Sequence, residues 1–106
     1  ANMLFVDGGN NNVGIGTNAP STSDTLHVKQ ASGNTSVRIE TEGTNGVAFA
    51  RFLNDARNYS LGVDTDDSFF IYDSTGTKSR FKSTASETVI NEDSGDINFR
   101  VMTMFV

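Results

Sequence analysis

The chain has 106 residues, a formal net charge of −5, no cysteine and no tryptophan. Its length supports one small domain or one unit of a longer array. The acidic balance excludes nucleic-acid binding through phosphates, which needs a basic face. Lack of cysteine removes disulfides and thiolate metal sites, and no apolar run approaches the ~20 residues of a membrane-spanning helix, so membrane insertion is not expected.

Only 36% of the residues are hydrophobic, and about half the chain is Ser, Thr, Asn, Asp or Gly. That is a vocabulary of turns and strand edges. So few aliphatic side chains cannot bury a sizeable core alone, so partner chains are expected to help. Ala1-Asn2-Met3-Leu4-Phe5-Val6 is too short and uncharged for a signal peptide, and the chain reads as an internal piece of a longer one. Asp7-Gly8-Gly9-Asn10 is a turn; a repeat-in-toxin calcium site would need a nine-residue period that does not recur. Val13 and Ile15 then alternate with Gly14 and Gly16 until the only proline, Pro20. Alternation at period two predicts a strand. Glycine on every second position predicts a face against which another backbone lies, as in chains wound round a common axis. Gly14 and Gly16 are therefore the expected close-packing positions.

Further along, Leu26 and Val28 share one face of a strand over residues 25–30, and Val37, Ile39 and Thr41 predict another. Glu42-Gly43-Thr44-Asn45-Gly46 is a turn cluster of hairpin type. Val47 to Leu53 is the richest apolar run, with Phe49 and Phe52 on opposite faces; a helix over 48–56 is the competing reading, cut short by Gly46, Asn54 and Asp55. Tyr59, Leu61 and Val63 alternate, as do Phe69, Ile71 and Asp73 against Phe70 and Tyr72. Asp73-Ser74-Thr75-Gly76-Thr77 is a turn, Phe81 lies between Arg80 and Lys82, and Val89-Ile90 and Ile97, Phe99, Val101 complete the set. Turn signals every 10–20 residues or so predict an all-β chain of short strands and hairpins.

Three segments carry a resemblance. Asn12-Val13-Gly14-Ile15-Gly16-Thr17-Asn18-Ala19-Pro20 followed by Leu26-His27-Val28 resembles the "NVGIGT-x-x-P…LHV" signature of phage tail-fibre and tail-spike repeat modules. These β-rich units often precede an intramolecular chaperone domain of the endosialidase type. Residues 58–73 resemble the "LGVDxDDSFxIxD" segment of the same modules. In that family a segment like residues 91–101 leads into "LFVDGGNN" and then "VGIGT"; here the two halves stand at opposite ends, with Phe105 and Val106 lying 100 residues after Phe5 and Val6. The chain thus reads as about one tandem repeat cut within a strand, with the usual polar spacer reduced to Met102-Thr103. The resemblance covers somewhat under half of the chain. It implies an intertwined homotrimeric fibre module whose trimer core would include Val13, Ile15, Leu26, Val28, Ile97, Phe99 and Val101. The expected organisation is a Gly-alternating connector over 1–24, a hairpin-rich module over 25–83, and terminal strands over 84–106 leading into the next repeat.

Chemical motifs are sparse. Gly14-x-Gly16-x-x-Ala19 mimics a dinucleotide fingerprint, but Pro20, Ser21, Thr22 and Ser23 follow where a helix should start. Asp64, Asp66 and Asp67 have the spacing that opens a calcium loop; its sixth and twelfth places, however, hold Phe69 and Thr75 instead of Gly and Glu. They remain weak candidates for an irregular metal site between chains, against a turn capped by Asp side chains. His27, the sole histidine, stands on the polar side of a strand, where solvation or stacking is the ordinary role. Lys78, Arg80 and Lys82 make a basic strand expected to face the acidic 64–67 or 92–96 segments. Asn34-Thr35-Ser36 and Asn58-Tyr59-Ser60 are formal glycosylation sequons, expected by chance in such a composition.

No catalytic constellation and no cofactor are expected. The function implied is a structural shaft or connector of a viral host-attachment fibre, located in the virion tail, with homotrimer partners and neighbouring repeats or other tail proteins. The alternative is a receptor- or glycan-binding head of a fibre, or a bacterial surface adhesin, with a host-surface glycan as partner. An exposed aromatic and polar concavity would favour that alternative.

Overall fold

The computed structural model of the chain describes residues 3–91 together with 100, 101 and 103. Among them the regular structure is all β, with eight strands in two sheets and no helix. Two compact units, Ala1–Arg38 and Ile39–Val106, each hold one sheet. The division falls after Arg38 and not at residue 24, because the strand that follows Pro20 pairs back onto the one that precedes it.

In the first unit, β1 (Leu4–Asp7) and β2 (Asn12–Ile15) form an antiparallel hairpin, and β3 (Leu26–Val28) adds in parallel to β2. Asp7 closes the hairpin as the sequence suggests: its carboxylate accepts the Gly9 and Asn10 N–H groups at 2.9 and 3.2 Å. Asn11 takes φ 55° there, a left-handed value that Asn tolerates. A parallel pair cannot be joined by a tight turn, and the connection from β2 to β3 is pinned by side chains instead. Buried Asn12 donates through Nδ2 to the Ser21 carbonyl at 3.1 Å, and Ser21 N–H donates to His27 Nδ1 at 3.0 Å. His27 is thus a loop anchor, not a merely solvated side chain.

Gly14 and Gly16 are close-packing positions, but against their own chain. Gly16 has φ +76°, and a Cβ built on it would collide with the Lys29 carbonyl oxygen. That oxygen is brought close by the ladder itself, since Lys29 N–H donates to the Ile15 carbonyl at 2.9 Å. The left-handed residue turns the chain so that the Thr17 carbonyl lies over Gly14. The neighbouring backbone expected from a second chain is supplied locally.

The second unit is an antiparallel meander: β4 (Ala48–Leu53), β5 (Asn58–Val63), β6 (Phe69–Asp73), β7 (Lys78–Ser83) and β8 (Thr88–Ile90), in that spatial order. The run 48–53 is a strand, so the helical alternative fails. Residues 36–42 form no strand, contrary to the pattern of Val37, Ile39 and Thr41. Alternation creates only the possibility of a strand, which needs a ladder partner; Val37 stays 71% exposed.

Register assigns the faces of this sheet. Ala50, Leu61, Ile71, Phe81 and Ile90 stand in one row, and Ala48, Val63, Phe69, Ser83 and Thr88 in the next, on the same face. The opposite face carries Phe49, Gly62, Phe70, Lys82 and Val89 in one row, then Arg51, Ser60, Tyr72 and Ser79. A register shift beside Ile71 and Tyr72 leaves Arg80 as the extra residue of a bulge. Phe70, 8% exposed, is the one large hydrophobic side chain buried among the described residues. Phe49, Phe52 and Phe69 remain exposed, and Phe5 and Phe81 are half-buried.

Replacing Gly16 by Val is therefore expected to destabilise the first unit itself, and not only its assembly. A β-branched residue in the left-handed region and a collision with Lys29 together cost about 2–4 kcal/mol. The check is hydrogen exchange at the Lys29 amide, which should accelerate in the variant.

Candidate functional site

The polar face of the second sheet encloses a concavity of about 490 Å³. Strand alternation builds it: Phe49 and Arg51 project from β4, Ser60 from β5, Phe70 and Tyr72 from β6, and Ser79 and Lys82 from β7. Gly62 stands between Phe49 and Phe70 in register. A Cβ there would meet the Ala48 carbonyl and the Phe49 Cα, so the strands close tightly and no side chain fills the space between the two rings. The Arg51 guanidinium lies over the Phe49 ring, 5.3 Å from its centroid, an arrangement with cation–π character. Aromatic surface, hydroxyls and a cation thus converge on one face.

Beside it, the β5–β6 turn uses the carboxylates once considered for a metal. Asp64 N–H donates to the Ser68 carbonyl at 2.9 Å and Asp67 N–H to the Asp64 carbonyl at 3.0 Å. The Asp64 carboxylate accepts the Thr65 N–H, and Asp66 accepts both the N–H and the hydroxyl of fully buried Ser68. Asp67 holds φ 64°. The second Asp66 oxygen pairs with Lys82 Nζ at 2.7 Å, linking the turn to the basic strand. The three side chains are not gathered on one point, and the described residues contain no group of three or more His, Cys, Asp or Glu that could hold a metal ion.

Asp73 is the acidic group that sequence reasoning passed over. It is fully buried; one oxygen accepts the Gly76 N–H at 2.9 Å, the other meets Arg80 at 3.1 Å and Arg57 at 3.3 Å. The turn was legible from Asp73 and Gly76, but the two arginines were not. Arg80 reaches Asp73 because of the bulge, and a bulge leaves no mark in the pattern. The Gly76 N–H and then Arg80 and Arg57 hold the Asp73 carboxyl below its ordinary 3.8 against the opposing effect of burial. Lys82 and Ser68 hold Asp66 far below the same value.

The expected trimer-core residues divide. Val13, Ile15, Leu26 and Val28 share one face of the first sheet with Leu4 and Val6, and that face is largely exposed, Leu26 at 56% and Leu4 at 64%. Val101 is exposed and in no strand, while Ile97 and Phe99 lie outside the described residues.

Searches of protein-family models, curated proteins and solved structures find no match to this chain.

Both depressed carboxyls bind protons more weakly folded than unfolded. The stability they confer is complete above 3.8 and is lost as pH falls from there through the folded values. The thermal midpoint should accordingly fall on acidification below that point. Asp73→Asn should lower the midpoint at neutral pH and flatten the acid limb, measured by circular dichroism across a pH series.

Proposed function

We propose that the chain is a structural shaft or connector module of a viral host-attachment tail fibre or spike, assembled as an intertwined homotrimer and free of catalysis. One observation carries this reading: each sheet leaves its apolar face exposed, with Leu4, Val6, Ile15 and Leu26 in the first unit and Val63, Phe69 and Ile90 in the second. An antiparallel sheet ordinarily packs one face and solvates the other. Here the solvated face is the apolar one unless further chains cover it.

The tail-fibre resemblance of residues 12–28 and 58–73 supplies the biological setting, a virion tail with neighbouring repeats or other tail proteins as further partners. Sedimentation velocity at micromolar concentration tests the assembly, and a trimer is the expected result; a monomer with intact β circular dichroism would refute it.

A second reading is favoured by the concavity of the second sheet. Phe49 and Tyr72 with Arg51 and the serine hydroxyls fit a saccharide, taken by ring stacking and hydrogen bonds. On this reading the module, as a fibre head or surface adhesin, binds a host-surface glycan. Glycan-array binding by the wild-type chain, abolished in Tyr72→Ala, would favour it over the shaft; silence on the array leaves the shaft.

A further inference from the structure

We infer that the concavity of the second sheet takes an acidic saccharide lying along β5, its carboxylate against Arg51 and its ring over Gly62. This rests on the glycan-binding reading above and adds the charge of the sugar and the direction in which it lies. The row of the ladder that crosses the concavity runs Arg51, Ser60, Tyr72. Ser60 is only 6% exposed, yet neither its hydroxyl nor that of Tyr72 has a hydrogen-bond partner among the described residues. Buried hydroxyls are ordinarily bonded. A buried serine that lines a concavity with its hydroxyl open therefore leaves a bond for an incoming group to make. Arg51 has no carboxylate partner among the described residues. It is held over the Phe49 ring, a contact that leaves its N–H donors unspent.

These open groups set the charge of the ligand. A guanidinium only donates, and the two hydroxyls can donate beside it, so the row as a whole asks for an acceptor. The planar fork of arginine matches a carboxylate in particular. Three charged side chains line the concavity: Arg51, Asp64 and Lys82. Lys82 is paired with Asp66 at 2.7 Å. Asp64 stands four residues beyond Ser60, about 13 Å away at the rise of an extended strand and past the ~8 Å screening length of physiological salt. It leaves an anion at Arg51 undisturbed. Its second carboxylate oxygen, not engaged by the Thr65 N–H, is open to a sugar hydroxyl at that far end. Between the two ends Gly62 adds no side chain, and Phe49 and Phe70 flank it in register, an apolar seat for the C–H face of a ring. The net charge of −5 opposes an anion at long range, where salt screens it; the contact is decided by the charges of the concavity itself.

The test is an array of matched pairs, each acidic oligosaccharide beside the same oligosaccharide with its carboxyls reduced to alcohols, probed with the full chain. The expected result is binding to acidic members, about tenfold or more weaker for their reduced partners, the scale of one charged hydrogen bond. Arg51→Gln should erase that preference and bind both members at the level of the reduced form, with its β circular dichroism intact because Arg51 is exposed. Should that variant fail to fold, Arg51→Lys takes its place, and loss of the fork should still diminish the preference. Equal binding of acidic and reduced members by the wild type overturns the inference and leaves the glycan reading standing, as do hits among neutral glycans only. A preference that persists unchanged in the Arg51 variant overturns the placement of the carboxylate. An array silent to every member removes the glycan reading and this inference with it.

Discussion

The fold rests on side-chain oxygens at the first residue of each turn. Asp7, Asn54, Asp73 and Thr84 each accept a backbone N–H two or three residues on, and Asp66 does the same within the β5–β6 turn. Such local bonds fix turn length and therefore register. In most small domains a hydrophobic core performs that selection, because a slip of one residue would turn the core outward. With Phe70 the one large hydrophobic side chain buried among the described residues, they offer little such selection. The chain's register is held at the turns by these local bonds.

That arrangement separates two quantities that usually go together. Shape is specified locally, by polar groups that are cheap to satisfy in water. Stability is withheld until apolar faces are covered, at about 1.5–3 kcal/mol for each large side chain taken fully from water. If the chains assemble as proposed, folding stability and assembly would be one measurement, and both would depend on protomer concentration. Loss of one chain would then require uncovering whole faces at a time, which slows unfolding.

What could be read from the sequence follows the same division. The turns at 7–10 and 73–77 were legible because their chemistry is local, as were most of the strands of the second sheet. Of the two acidic segments expected to face the basic strand, 64–67 does so through Asp66 and Lys82, and 92–96 lies outside the described residues. The strand expected at Val37 and Ile39 failed because its pattern says nothing about whether a partner strand is at hand. The crowding at Gly14 and Gly16 was legible, but not its source. Only the parallel return of β3 along β2 brings the Lys29 carbonyl to Gly16, and the sequence does not encode that return as a period. Asp73 escaped notice for a similar reason. Its arginines lie 16 residues before and 7 after it in the chain, and they converge only through strand pairing and a bulge.

The two faces of the second sheet differ in composition. Leu61, Val63, Phe69, Ile71 and Phe81 make the centre of one face apolar, although Asp73 and Lys78 stand in its next row. The opposite face, with Arg51 over Phe49, Tyr72 and serine hydroxyls around the strand that carries Gly62, is poorly suited to bury against a like-charged copy because its cation and hydroxyls would need partners. A trimer built on the first face would present the second to solvent three times over. The shaft and glycan-binding readings therefore do not compete for the same surface. The first concerns what holds the chains together, and the second concerns what three identical outward concavities would meet. If each concavity took even a weak saccharide contact, three on one rigid support would act together through effective concentration, so the assembly proposed for stiffness would also be the condition for any useful binding.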